Sequence, residues 1–85
     1  MPTILRDGSW RFFFYSNEGS EPAHVHVAGG DAGTAEVAKF WLNPVSVVRS
    51  QRIRPHELRR LERLVAENRE LFVRKWNEHF AAPSI

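Results

Sequence analysis

Apolar and polar residues alternate with the two-residue period of β-strands over the first half of the chain. Trp10–Tyr15 and Ala23–Val27 are two apolar, β-favouring runs, and the polar stretch Ser16–Pro22 joins them. This pattern predicts a hairpin with a long loop. The first run is apolar on both faces, so we expect a central strand that is covered on each side.

Three further segments are candidate strands by their composition and by the turn residues that flank them: Thr3–Arg6, Thr34–Leu42 and Val45–Val48. Asp7-Gly8 is typical of a two-residue type I′ turn, which would pair the first of these segments with the strand that follows it. The third is predicted to lie at an edge, because a proline such as Pro44 at the start of a strand is tolerated there.

The segment Thr34–Leu42 follows three glycines in Gly29–Gly33, which we interpret as a turn because no Gly-Lys-Ser/Thr sequence of a phosphate-binding loop accompanies them. Strict alternation then assigns the side chains of the strand to two faces. One face receives Ala35, Val37, Lys39 and Trp41, and the other receives Glu36, Ala38, Phe40 and Leu42.

From Pro55 to Phe80 the apolar residues repeat at steps of three and four, as on one face of a helix. Asn68 interrupts this stripe. A helix of this length spans about 39 Å, whereas a compact domain of this size is roughly 31 Å across. We therefore expect either a break near Glu67–Asn68 or a protruding end, whose Trp76 and Phe80 a partner chain, a second copy or the N-terminal strand would cover.

These patterns predict an α+β fold, in which an antiparallel sheet of about four strands, built from β-hairpins, carries a long C-terminal helix on one face. Residues 1–80 are expected to form one domain and residues 81–85 a flexible tail. The chain has no cysteine, which excludes disulfides and thiolate metal sites. No signal peptide or membrane-spanning run is recognisable, so we expect a cytoplasmic protein.

The net charge of +2 conceals an asymmetry along the chain. Residues 1–43 have a net charge of −2 and residues 44–85 a net charge of +4. Much of the positive charge comes from six arginines: Arg49, Arg52, Arg54, Arg59, Arg60 and Arg63. Arginine binds phosphate bidentately, so this segment is a candidate site for nucleic acid or for an acidic protein partner. The third interpretation is a solvated helix face, since no nucleic-acid-binding motif accompanies it.

His24 and His26 stand two residues apart on a predicted strand, so both imidazoles share one face and the two valines share the other. Such a pair ligates zinc or iron when a third ligand is present. Four residues are available for that role, and the spacing singles out none of them: Glu21, Glu36, His56 and His79.

Lys39 lies in the middle of a predicted strand, where a lysine needs solvent or a charged partner. If its strand pairs with the histidine strand, His24, His26 and Lys39 form a candidate site for a small ligand or an anion. The alternative is a structural role for the histidines and a lysine that reaches solvent. A helix over the valines would leave the imidazoles free to act, whereas a helix over the imidazoles would make them structural.

No catalytic motif is complete in this sequence. It has no cysteine nucleophile, no Gly-x-Ser-x-Gly elbow and no close pair of carboxylates. We therefore assign no catalytic residue and expect a binding protein rather than an enzyme. A divalent metal at the two histidines is the one cofactor that the sequence suggests.

Four motifs follow one another along nearly the whole chain: FFFYSNE, Pro-x-His-x-His-Val, AKFW and ENRELF-x-x-x-WNE-x-F. In this order they resemble the family catalogued as domain of unknown function (DUF) 4160, small stand-alone bacterial proteins without an assigned activity. Here Arg54-Pro55 replaces a capping serine at the helix start, and the glycine turn is longer. The family supplies no catalytic residues. The positions within its motifs include Pro22, His24, His26, Lys39 and Trp41.

Members of that family look like genomic neighbours of a second small family, DUF 2442, in an arrangement similar to toxin–antitoxin pairs. The resemblance therefore implies an interaction module of a two-gene system with a protein partner encoded nearby. That partner would bind at the basic segment or at the exposed helix end. The second hypothesis is a small-ligand or metal-binding protein, possibly an enzyme, centred on His24 and His26.

Overall fold

The computed structural model describes residues 3–15, 20–30 and 33–80. Its elements are β1 (Thr3–Asp7), β2 (Trp10–Phe13), β3 (His24–Gly29), β4 (Glu36–Leu42), β5 (Val45–Ser50), α1 (Pro55–Glu67) and α2 (Arg69–Phe80). The five strands form one antiparallel sheet in chain order, β1-β2-β3-β4-β5. The α+β class is confirmed, and the described residues form five strands rather than about four, because β5 is present and pairs with β4.

The central strand β3 is buried at all six of its residues, between β2 and β4. Its Val25 and Val27 lie on one side of the sheet, which we call the valine face. Their neighbours in the hydrophobic core come from the sheet and from both helices: Phe12, Phe14, Phe40, Leu42, Leu61, Val65, Phe72 and Trp76. The Phe72 and Phe12 ring centroids are 5.6 Å apart. Helix α2 therefore contributes to the core directly.

The predicted single helix is divided at Asn68 into α1 and α2. Asn68 has φ −108° and ψ 17°, and its side-chain amide donates a hydrogen bond of 2.9 Å to the Leu64 carbonyl. An asparagine side chain that binds the backbone of the preceding turn competes with the helical hydrogen bonds. The expected break near Glu67–Asn68 is confirmed. Trp76 is only 7% exposed, so this chain covers it without a second copy.

The molecule is longer than the compact sphere with which the helix length was compared. The molecule measures 42 × 23 × 20 Å, so its long axis exceeds the roughly 31 Å of a compact sphere. A straight helix of about 39 Å would fit along that axis. The break follows instead from Asn68, whose side chain binds the backbone of the preceding turn.

Two β-bulges determine which side chains reach the opposite side of the sheet. Val27 pairs with Ala38 and Ala28 with Glu36, so Val37 is an extra residue in β4. In β5 the extra residue is Val48, which lies between the partners of Phe40 and Lys39. The extra residue in β4 reverses the alternation before it. The prediction that Glu36 shares a face with Ala38 and Phe40 is therefore wrong.

The remaining predictions concern segments that are described only in part. Residues 16–19 of the predicted loop, residues 31–32 of the glycine turn and the tail 81–85 lie outside the described residues.

Pro55 is the first helical residue, and Arg54 before it makes no side-chain capping bond. Among the described helices, none has the length and apolar character that crossing a membrane requires.

Gly29 provides a test of the close approach between the β3 end and the β1–β2 turn. It has φ +132°, and a Cβ atom at this position would overlap the Ser9 carbonyl oxygen. We expect Gly29→Ala to lower the free energy of unfolding by about 3 kcal/mol or more, because backbone must move. The measurement is urea unfolding of the two proteins.

Gly8→Ala is the matched control for that substitution. Gly8 also has a positive φ, +61°, but an added Cβ would meet nothing within 4 Å. Only the left-handed conformation is then penalised, by about 1–2 kcal/mol. Equal losses for Gly8→Ala and Gly29→Ala would show that the backbones do not approach so closely.

Candidate functional site

The side of the sheet opposite the valine face carries the predicted site, and we call it the histidine face. It is formed by Phe13, His24, His26, Lys39 and Trp41. Among the described residues, the buried polar side chains are His24 and His26, both 0% exposed, and Lys39, 6% exposed. The β3–β4 register places His24 opposite Trp41 and His26 opposite Lys39. The three residues that the sequence suggested therefore lie together, but they are enclosed.

Glu36 links His26 to the edge of the sheet. The Nδ1 atom of His26 lies 2.7 Å from Oε1 of Glu36, and Arg49 Nε donates a bond of 3.0 Å to Oε2. A carboxylate can only accept, so Nδ1 of His26 carries the proton. The Glu36 side chain is 12% exposed, whereas that of Arg49 is 54% exposed. A carboxylate this buried requires such partners.

His24 is held by a different acceptor. Its Nδ1 atom lies 2.8 Å from the Pro22 carbonyl oxygen, which can only accept, so Nδ1 donates here as well. The same Nδ1 is 3.9 Å from Oε1 of Glu21, which accepts a bond of 2.8 Å from Lys39 Nζ. Glu21 is 41% exposed, so the lysine is paired at the border between the protein and solvent. Lys39 thus has the charged partner that its position requires.

Among the described residues, four aromatic rings lie against the two imidazoles: Phe13, Tyr15, Trp41 and Trp76. The His26 centroid lies 4.5 Å from that of Tyr15, and the His24 centroid lies 4.7 Å from that of Trp76 in α2. The two imidazole centroids are 5.0 Å apart. The expectation that imidazoles opposite the valine face would be free is therefore wrong, because these rings cover them.

The described residues contain no group of three or more histidine, aspartate or glutamate side chains that could hold a metal ion. Of the four suggested third ligands, His56 and His79 are exposed, and Glu36 is engaged by His26 and Arg49. A metal would have to be held through Nε2 of both rings, since each Nδ1 is already in a hydrogen bond. Within the described residues, both imidazoles thus belong to a hydrogen-bonded cluster.

Three surface cavities have volumes of about 540, 410 and 380 Å³. The first follows the outward side of α2, and the second lies between β1 and α2. The third surrounds Trp41 and is bounded by Pro22 and Pro44. None of these three is lined by His24 or His26, so the imidazoles do not open into them.

The structure divides the six arginines of the basic segment into two groups. Arg49 binds Glu36, and Arg60 approaches Asp7 at 4.0 Å. The other four are exposed: Arg52, Arg54, Arg59 and Arg63. Within the described part of the chain, none of these four has an acidic group within the 4.0 Å of an ion pair.

Sequence reasoning missed two contributors to the histidine face. Glu36 was considered only as a metal ligand, and its pairing with Arg49 depends on the bulges at Val37 and Val48. Trp76 was predicted as part of the apolar helix stripe, but no sequence signal indicated its contact with His24. Local alternation does not reveal either contact.

Glu36→Ala tests whether the carboxylate holds this face together. Its removal leaves the His26 Nδ1 proton without its acceptor, so we expect a loss of about 2 kcal/mol in unfolding free energy. Glu78→Ala is the control, since Glu78 is 58% exposed and pairs with Lys75 at the surface. That change should cost about 0.5 kcal/mol or less. Equal losses in chemical denaturation would contradict a structural role for Glu36.

Comparison with known proteins assigns the chain to a family. Residues 9–77 match the family model described as Domain of unknown function (DUF4160). The matched span contains the whole histidine face and all six arginines. No curated protein and no solved structure was found to match. Because the match covers well over half of its 85 residues, the chain belongs to the DUF4160 family.

Proposed function

We propose that the protein is a binding module that recognises an acidic partner protein through a basic surface made of Arg52, Arg54, Arg59 and Arg63. The observation that supports this proposal is the exposure of four guanidinium groups without an acidic neighbour among the described residues. Two other arginines of the same segment, Arg49 and Arg60, do have acidic neighbours. Four guanidinium groups of this one segment are therefore without a compensating charge among the described residues.

Two of these charges lie at the start of a helix. Arg52 and Arg54 precede α1, whose N-terminus carries the positive end of the helix dipole, and Glu57 is the acidic residue of the first turn. A cation at this end is unfavourable by about 0.3–1 kcal/mol. A bound carboxylate would reverse the sign of that interaction. The unbound protein thus has an unfavourable interaction at this helix end that a bound anion would relieve.

The partner that we propose is the product of a neighbouring gene, in a two-gene arrangement similar to toxin–antitoxin pairs. A protein partner is preferred to nucleic acid because no helix-turn-helix or RNA-binding signature accompanies the arginines. The absence of cysteine fits a reducing compartment, so we propose a cytoplasmic location for the complex. The helices would cover the valine face and leave the basic surface accessible.

Charge reversal tests the basic surface. Arg52→Glu/Arg54→Glu should weaken binding to the neighbouring gene product by about tenfold or more, because two attractive charges become repulsive. Calorimetry at low and high salt is the measurement, and the loss should be larger at low salt. Arg74→Glu is the control for a charge reversal elsewhere, since Arg74 is also exposed but lies in α2.

Two results would contradict this proposal. Failure of the two gene products to form a complex at micromolar concentration would remove the proposed partner. Tighter binding to a DNA duplex, with the same dependence on the arginines, would replace a protein partner by a nucleic acid.

A second candidate function is small-ligand or metal binding at His24, His26 and Lys39. The observation that favours it is that all three are buried, and buried ionisable groups concentrate at functional sites. Their hydrogen bonds to Pro22, Glu36 and Glu21 are the structural alternative. The arrangement therefore requires a direct binding test.

Elemental analysis of the purified protein separates these two interpretations. If the histidines bind a metal, the protein should hold about one equivalent, and His24→Ala/His26→Ala should lose it. His56→Ala/His79→Ala is the control, because both of these imidazoles are exposed. Metal-free protein whose melting temperature does not rise with added zinc would exclude the metal version of this function.

A further inference from the structure

We infer that β5 is the docking strand for the partner, and that an acidic, extended segment of the partner adds to the sheet beside it as a sixth strand. This inference rests on the proposed function and specifies the form in which the partner binds. It is based on two observations: β5 is an edge strand of the sheet, and arginines follow β5 in the sequence.

The edge itself meets the requirements for strand addition. Within the described residues, β5 is the last strand and has β4 as its one strand partner. Val45–Val48 are half-buried, whereas Arg49 and Ser50 are exposed. Val45 and Val47 pack against the core, so the strand is fixed before any partner arrives. A fixed edge strand presents a row of backbone donors and acceptors to a second chain.

The opposite edge of the sheet, β1, has features that discourage the addition of another strand. β1 contains Arg6 and Asp7 and has a bulge at Ile4. Charges and bulges are among the devices by which proteins block edge strands. The first residues of β5 are uncharged and mostly β-branched, and its bulge falls later, at Val48.

The positive charge of the residues that follow β5 indicates which kind of partner segment would bind at this edge. After β5 the chain turns at Arg52, which has φ +57°, and reaches Arg54 before α1 begins; both arginines are members of the basic surface. A strand antiparallel to β5 would bring its own N-terminal residues beside this continuation. Glutamate or aspartate there would meet the arginines, while alternating β-branched residues would follow along Val45–Ser50. The partner segment is therefore expected to be acidic at one end and β-forming at the other.

Peptide probes and amide exchange test the inference on the full-length protein. The probe is a short peptide with a run of glutamates followed by alternating valine and threonine. Two controls have the same charge: one is N-methylated at every second amide, and in the other glycine-proline repeats replace the valines and threonines. NMR-detected hydrogen exchange then reports which strand gains protection.

We expect the first peptide to bind about tenfold more tightly than either control and to slow exchange at amides of Val45–Ser50. Equal binding of all three peptides, without protection of β5, would overturn strand addition and leave the basic surface as the proposed binding site. Protection of β1 would also overturn it. No binding of any acidic peptide, together with no effect of Arg52→Glu/Arg54→Glu on partner binding, would overturn both proposals. Protection of β5 that rises with protein concentration alone would assign the edge to a second copy.

Discussion

The central strand β3 is buried at every residue, and this constraint determines what each face of the sheet must contain. On one face the strand offers valines, which apolar side chains of the sheet and both helices cover. On the other it offers His24 and His26, whose ring nitrogens require partners when water is excluded. The Pro22 carbonyl and the Glu36 carboxylate fulfil that requirement for the two Nδ1 atoms. Each arrangement on the histidine face follows from this need.

A second consequence of the burial of β3 concerns strands β4 and β5. Glu36 can reach His26 only because Val37 bulges from β4, and Arg49 reaches Glu36 from β5, which has its own bulge at Val48. The chain thereby neutralises one arginine of its basic segment inside its own fold. Beyond β5, no such acidic neighbour is found among the described residues for four arginines: Arg52, Arg54, Arg59 and Arg63. One continuous segment thus contains both Arg49, which is paired with a carboxylate, and exposed arginines without such a partner. The binding function is proposed for the exposed arginines.

The sequence predicted those features that depend on local periodicity. The alternation of Trp10–Tyr15 and Ala23–Val27 indicated the strands and their faces, and the interrupted stripe indicated the break at Asn68. It did not reveal the position of Glu36, because one extra residue in β4 reverses the alternation without any composition signal. Burial of the imidazoles was also missed, since it depends on rings from β4 and α2 that meet only in the folded chain.

The protonation of the two imidazoles tests this account most directly. Because Pro22 and Glu36 offer only acceptors, Nδ1 of both His24 and His26 must carry a proton. Long-range ¹H–¹⁵N NMR spectra of the folded protein should show protonated Nδ1 atoms with slowly exchanging protons at both residues. Neutral rings protonated at Nε2, or ring protons that exchange with solvent as rapidly as those of exposed His56, would contradict a closed histidine face.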